Sequence, residues 1–424
     1  MIEKYYDGAI EQVAAGLGTV EKNYLLVRYS GQFSVENLND TKQLEKNEDI
    51  FVQVHEFETG EITCAYEPYL TMICDGFRRY MTGTFEEFME TCDVYYLHRP
   101  VLLGYFNQDN TGREEIILLD EVAYEQERML AALERMLCAI ADRHPVLFVL
   151  NRFQLASKST MQLTARFLKC ENCNIGLVLG VSDIQAMPEF LVPDWEMLYE
   201  TLDDGSKIYH IGNSGRKKEE TIDDEKYVDY GSEKVYRKLQ NMVEFLDFDQ
   251  AAYYLETIER KIKFDNLLVD DAARFRMWLL FVKVSILRQD IPKALEICED
   301  LEKIHLAGKE EECAYEQDYL IATAYMYQGK LKEALEMAGE TYRIAGKMSD
   351  DYRMFLSELL EAKIQMSGWY NIFFCAQDVK IKESLIQNLI RYNYRNHLAH
   401  VYIYAYDTHT EIVKKANQSE ELLI

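Results

Sequence analysis

The sequence predicts an α/β domain with a parallel sheet, followed by an all-α array of helical hairpins. Two observations carry this. In the first half, short apolar β-rich runs alternate with helical stretches, and strand–helix–strand order implies a parallel sheet with helices on its faces. After residue 232 the strand signals stop, and a helical motif recurs with a period near 40 residues. The expected division is 1–211 for the α/β domain, 212–232 for a linker and 233–424 for the helical repeats.

Tyr24–Tyr29 reads as the first strand and Ile50–Val54 as the second. Val146–Leu150 and Ile175–Leu179 are uninterrupted apolar runs, suited to central strands buried on both faces. Lys207–Ile211 closes the set. A first helix is expected over Ile2–Ala15, ended by the Gly16-Leu-Gly18 segment. The clearest helix spans Glu121–Arg143, where Leu130, Leu133, Leu137 and Ile140 form one apolar stripe. It stops at His144-Pro145. Residues 212–232 carry many charges and few apolar groups, the composition of a solvated connection.

In the second half the recurring pieces are Phe248-Asp-Gln-Ala251, Ile291-Pro-Lys-Ala294, Leu331-Lys-Glu-Ala334, Tyr370-Asn-Ile-Phe373 and His409-Thr-Glu-Ile412. Their fourth positions lie 43, 40, 39 and 39 residues apart. A small residue early in a second helix allows two antiparallel helices to approach, and Gly329 suits the turn before it. Tyrosines crowd the end of the chain, and Tyr392, Tyr402 and Tyr404 are candidate anchors for a partner.

Charge and cysteine content exclude several classes. With 46 Lys plus Arg against 73 Asp plus Glu, the formal charge is −27. Such a chain repels phosphate backbones and anionic lipid surfaces, so neither nucleic acid nor membrane is expected as a partner of this chain alone. No apolar run approaches the roughly 18–20 residues of a membrane span. The start, Met1-Ile-Glu-Lys-Tyr-Tyr-Asp, lacks the apolar core of a secretory signal. Nine scattered cysteines form no disulfide framework, which fits a reducing cytoplasm.

Motifs for chemistry are sparse. Cys170-Glu-Asn-Cys173 has zinc-type spacing but no second pair to complete four ligands. His397, His400 and His409 read as helix residues rather than a metal set. No Gly-x-Ser-x-Gly elbow occurs. No catalytic residue, metal or cofactor is therefore expected. The oligomeric state stays open.

The most informative stretch is Pro145-Val-Leu-Phe-Val-Leu-Asn-Arg-Phe-Gln-Leu-Ala-Ser-Lys-Ser-Thr160, followed by a helix and Ile175-Gly-Leu-Val-Leu-Gly-Val-Ser182. It resembles the second half of the nucleotide-binding domain of STAND-type signal-transduction ATPases, relatives of the AAA+ fold. In that family the strand ends in two adjacent acids, and a loop ending Ala-Asp-Pro-Ser-Thr follows. Ala156-Ser-Lys-Ser-Thr160 matches the loop at Ala156, Ser159, Thr160 and in spacing. Ala65-Tyr-Glu-Pro-Tyr-Leu70 resembles the segment after the family's second strand. The repeats, with Tyr325, Gly329 and Ala334, resemble the tetratricopeptide repeat at a period longer than its usual 34.

The departures define the expected function. The paired acids of the family fall on Asn151 and Arg152, so the metal-holding and water-polarising groups are absent there. After the strand Tyr24–Tyr29 comes Ser30-Gly31-Gln-Phe-Ser, with one glycine and no lysine before Lys42, which cannot form a phosphate cradle. Gly31, Asn151 and Arg152 thus mark a degenerate nucleotide site. The resemblance implies a pseudo-ATPase domain joined to repeats that bind a protein or peptide, in a cytoplasmic bacterial regulatory assembly. The connection after Ile211 is too short for the small helical and winged-helix domains usual in such ATPases. A divergent but active nucleotide site and a transcription-regulator subunit are the alternative readings.

Overall fold

Five strands form one parallel sheet in the order β2-β3-β4-β1-β5: β1 (Tyr24–Tyr29), β2 (Phe51–Glu56), β3 (Val146–Asn151), β4 (Ile175–Ser182) and β5 (Ile208–Ile211). The computed structural model describes residues 2–17, 24–29, 49–58, 61–95, 98–108, 122–170, 174–182, 187–203, 208–211, 229–265 and 267–366. Gly31, Tyr392, Tyr402, Tyr404, the three histidines from His397 to His409, Cys173 and the repeat pieces at Tyr370 and His409 lie outside the described residues. So does most of the expected linker.

All five expected strands are present, the first with the expected ends and the other four with shifted ends. β2 starts one residue later than the apolar run suggests and continues through His55 and Glu56. These two polar residues extend it because each residue from Phe51 to Glu56 pairs in register with β3. β3 is buried along its whole length and β4 nearly so, which is why their sequences are continuous rather than alternating.

Helices pack on both faces. On one lies α1 (Ile2–Gly16), whose Ala9, Ile10 and Val13 meet Leu25, Val27, Leu147, Val149 and Val178. Close approach depends on Gly176 in β4: a Cβ there would sit 2.7 Å from Val13 Cγ1 and 3.0 Å from Leu147 Cδ1. On the other face are α2 (Tyr69–Tyr80) and α5 (Val122–Ala141), with α3 (Phe85–Thr91) between them in sequence. Tyr69 packs edge-on against Phe148 with ring centroids 4.7 Å apart, and Gly76 sits against Ile140 and Phe51. α4 (Arg99–Asn107) precedes α5, while α6 (Lys158–Lys169) and α7 (Val192–Asp203) follow β3 and β4.

Beyond residue 232 the described chain is helical: α8 (Glu233–Glu244), α9 (Phe248–Phe264), α10 (Asp271–Leu287), α11 (Ile291–Leu301), α12 (Glu310–Gln328), α13 (Leu331–Met348) and α14 (Asp351–Met366). α9, α11 and α13 start on the residues that open the first three repeat pieces, and Ala251, Ala294 and Ala334 are fully buried.

The turns before these helices are the same structure three times. Leu246, Gln289 and Gly329 adopt left-handed backbone, with φ of 64°, 62° and 79°. The next N–H then closes a six-residue loop: Asp247 to Met242 at 2.7 Å, Asp290 to Ser285 at 2.8 Å and Lys330 to Tyr325 at 2.9 Å. This is the Schellman closure, which satisfies the last carbonyls of each first helix. Only Gly329 has the residue type such a backbone favours. The sequence marks one turn of three, and the helix spacing marks the others.

The chain divides into two compact units. The first holds Met1–Tyr95, Ala123–Tyr230 and Arg237–Gln250; the second holds Tyr96–Val122, Gly231–Tyr236 and Ala251–Ile424. The expected boundaries at 211 and 233 differ from this: residues 96–122 fall in the second unit and residues 237–250 in the first. Residues 237–250 belong to the α/β unit, because Phe245 packs edge-on against Tyr66 and the Ala65 N–H donates to Asn241 Oδ1 at 3.2 Å. In the second unit, Ala322, Ala334 and Ala338 let α12, α13 and α14 close on Leu360 and Ile364.

Candidate functional site

In open α/β sheets ligands bind beyond the carboxyl ends of the strands, where neighbouring strands send their connections in opposite directions. β1 and β4 are such neighbours here: from β1 the chain goes to β2 at one edge, and from β4 it goes to β5 at the other. Tyr29, Glu56, Asn151 and Ser182 end β1, β2, β3 and β4. The side-chain alternation places Tyr29 and Asn151 on the face that carries α1.

Tyr29 and Asn151 meet. The phenolic hydroxyl donates to Asn151 Oδ1 at 2.6 Å, and Asn151 is fully buried. Burial pushes the Tyr29 phenol up to about 12, against the pull of the nearby Arg152 charge. The hydroxyl is thus a neutral donor at any physiological pH.

Arg152 adopts left-handed backbone (φ 53°) and caps the short turn Phe153–Leu155. The turn is fixed from below. Phe153 is fully buried, with its ring 6.0 Å from Phe57 and 6.5 Å from Trp195. Gln154 accepts the Ser182 N–H at 3.3 Å, tying the end of β4 to the same turn. The guanidinium lies 3.3 Å from Glu56 Oε1, with the two side chains 25% and 15% exposed. β2–β3 pairing sets Glu56 directly opposite Asn151, one residue before Arg152.

The arrangement is therefore a carboxylate matched to a guanidinium beside a phenol matched to an amide. The Asn151 carbonyl oxygen is engaged by Tyr29 and the Glu56 charge by Arg152. A hard cation prefers unmatched charged oxygens, which this group does not offer. Among the described residues no three His, Cys, Asp or Glu side chains are placed to hold a metal ion.

The loop motif at Ala156–Thr160 starts α6. Ser157 is the N-cap and accepts the Thr160 N–H at 3.2 Å. Ser159 N–H donates to Asp247 Oδ2 at 3.0 Å, and the Ser159 hydroxyl accepts the Tyr66 N–H at 3.0 Å. Thr160 Oγ1 donates to the Glu67 carbonyl at 3.0 Å. Lys158 pairs with Asp249 and lies 4.0 Å from Asp194. The positive end of α6 thus receives a carboxylate from the first hairpin turn. Burial raises the Asp247 carboxyl above its ordinary range, although the Ser159 hydrogen bonds and the Lys158 charge oppose the rise.

Sequence reasoning marked Asn151 and Arg152 and missed Tyr29, Glu56, Gln154 and Asp247. Tyr29 and Glu56 were within reach: both end strands, and strand ends line the carboxyl edge. Asp247 was not, since its partner lies 88 residues away in sequence.

β2 itself carries a further titratable group, His55. Burial lowers the His55 pKa despite the carboxylates of Glu67, Glu61 and Glu56. Burial and Glu67 push the Cys64 thiol up to about 12, so it is not a nucleophile.

In the helical unit, Lys263 bridges Glu259, Glu296 and Asp300, and Lys293 joins Glu259 and Glu296. Asp318 on α12 has no such match: burial, with Glu340 and Glu302 adding, pushes it up to about 6. A carboxyl whose folded value exceeds its ordinary value of about 4 contributes fully below that pH and loses the contribution as pH rises through about 6. Asp318→Asn should therefore raise the melting temperature at pH 7.5 by about 2 °C, the scale of a solvent-screened charge. As pH falls toward 4 and below, the difference between the thermal melts of variant and parent should vanish.

No protein-family model, curated protein or solved structure matches the chain. Among the described residues no helix is long and apolar enough to cross a membrane.

Proposed function

We propose that the protein is a non-catalytic interaction protein, in which helical hairpins of tetratricopeptide type take a protein or peptide partner. The α/β unit is a degenerate STAND-like nucleotide fold, kept as a structural or regulatory module of a cytoplasmic bacterial signalling assembly. One observation carries the reading: at the carboxyl edge of the sheet, Asn151 is engaged by Tyr29 and Arg152 by Glu56. Where a nucleotide fold needs carboxylates free for Mg²⁺ and water, this chain has a self-satisfied group. The triplicate hairpin turn and the buried Ala251, Ala294 and Ala334 support a repeat array. Such arrays bind extended segments on a continuous surface rather than performing chemistry.

The parallel sheet with its switch between β1 and β4 favours a second reading, a divergent nucleotide site. Isothermal titration of the full chain with ATP and Mg²⁺ separates the two. The proposal expects no binding heat up to millimolar nucleotide. Micromolar binding that Mg²⁺ strengthens would replace it with the second reading.

A further inference from the structure

Among the described residues β2 is an edge strand, with no strand on its outer side. Phe51 N–H donates to the Pro145 carbonyl at 2.8 Å and Phe57 N–H to the Asn151 carbonyl at 3.1 Å. In this parallel register the odd residues of β2 therefore turn their backbone toward β3. Val52 and Val54 turn theirs outward. Among the described residues no strand pairs with that side. The Val54 carbonyl takes a long 3.3 Å bond from the Gln53 side chain next to it. Both valines stay half-buried, whereas β3 is buried throughout.

Proteins blunt such edges with lysine, proline, a bulge or a very short strand. β2 has none of these: it reads Phe-Val-Gln-Val-His-Glu, six residues in unbroken register. The opposite edge, β5, is four residues long.

The ends of β2 differ in charge. At its start the exposed Arg79 guanidinium lies over the Phe51 ring, 5.0 Å from the centroid. At its finish is the exposed Glu58. A strand added parallel to β2 from an identical chain sets basic end on basic end and acidic on acidic. An antiparallel one sets each Arg79 end beside a Glu58 end, and a two-fold axis makes that contact twice. The apolar centre is self-complementary in the same arrangement. With Gln53 at the axis, each Val52 faces the other copy's Val54, and about four backbone hydrogen bonds form.

We propose that β2 pairs antiparallel with β2 of a second copy of this chain, joining two sheets into one. The proposal stands apart from the reading of the carboxyl edge, since it uses the outer backbone of β2 and the charges at its ends.

Sedimentation equilibrium of the full chain tests it. The parent chain is expected to be a dimer at micromolar concentration. Val54→Pro removes an outward N–H, which an edge position tolerates, and should give a monomer with unchanged far-ultraviolet circular dichroism. Arg79→Glu and Glu58→Arg should each weaken dimerisation by roughly tenfold, and the double exchange should restore it, because both contacts regain opposite signs. Should Val54→Pro fail to fold, the charge exchange decides alone. A chain monomeric at about 100 µM overturns the proposal, the edge then being left to a different extended peptide. So does a dimer indifferent to Val54→Pro, or a double exchange no better than its single members.

Discussion

Asp247→Ala is expected to lower the stability of the α/β unit by roughly 2–3 kcal/mol, combining a lost helix cap with a buried donor left unpaired. Asp247 is 4% exposed, and its Oδ2 receives the Ser159 N–H at the start of α6. Alanine leaves that N–H without an acceptor, removes a negative charge from the positive end of the helix and weakens the hold on the turn at Leu246. Asparagine keeps an acceptor oxygen and removes a buried charge, so Asp247→Asn should cost less than about 1 kcal/mol.

The two variants also differ in pH dependence. The folded Asp247 carboxyl titrates above its ordinary range because burial opposes its charge. Its contribution is therefore complete at acid pH, below its unfolded value, and declines as pH rises through the folded one. The asparagine variant should lack that decline, and its disadvantage against the parent should shrink toward alkaline pH. Hydrogen exchange of peptides covering 157–161, with urea denaturation of the intact chain, measures both effects. Equal protection of these amides in the alanine variant and the parent would remove Asp247 from the capping role.

What the sequence made legible follows from how each feature is encoded. The strands were readable because both-side burial demands continuous apolar residues, as in Val146–Leu150. The starts of α9, α11 and α13 were readable because a small residue must sit where helices touch, and Ala251, Ala294 and Ala334 do. The polar contacts were not. Ser157, Ser159 and Thr160 stood out as a motif, yet what they bind is set by a hairpin turn far along the chain. Leu246 and Gln289 take a left-handed backbone that leucine and glutamine do not announce. The packing around them imposes it, and position in a repeat was the sole sequence signal. The boundary at 233 came from composition, which records solvation. The units follow contacts, and contacts draw residues 237–250 into the α/β unit.

Arg152→Ala is expected to be the most damaging change at the carboxyl edge, and its size can be bracketed. Removing one partner of a fully buried ion pair costs about 3–5 kcal/mol, while an exposed pair contributes about 0–1. With side chains 25% and 15% exposed, the Arg152–Glu56 pair lies between these limits, so about 2 kcal/mol is expected. The backbone adds a second effect. Arg152 holds φ at 53°, a conformation that alanine tolerates no better than arginine and glycine adopts freely. Arg152→Gly should therefore recover about 1 kcal/mol of what alanine loses, although both lack the guanidinium. Glu56→Gln leaves a guanidinium that can turn to water and an amide that can still accept a bond, so about 1 kcal/mol is expected. In urea denaturation the parent should be most stable, Glu56→Gln and Arg152→Gly close to each other below it, and Arg152→Ala least stable. A double-mutant cycle over Glu56 and Arg152 isolates the pair from the backbone effect, because the turn at Phe153 is common to every corner. Additive losses would mean that the guanidinium stabilises the edge through Tyr29 rather than through Glu56. Whichever partner dominates, the left-handed turn is held by buried Phe153 beneath it and by Gln154, which accepts the Ser182 N–H at the end of β4. The turn sets the Arg152 guanidinium 3.3 Å from Glu56 Oε1, and a charge so placed would repel a second cation brought to these strand ends.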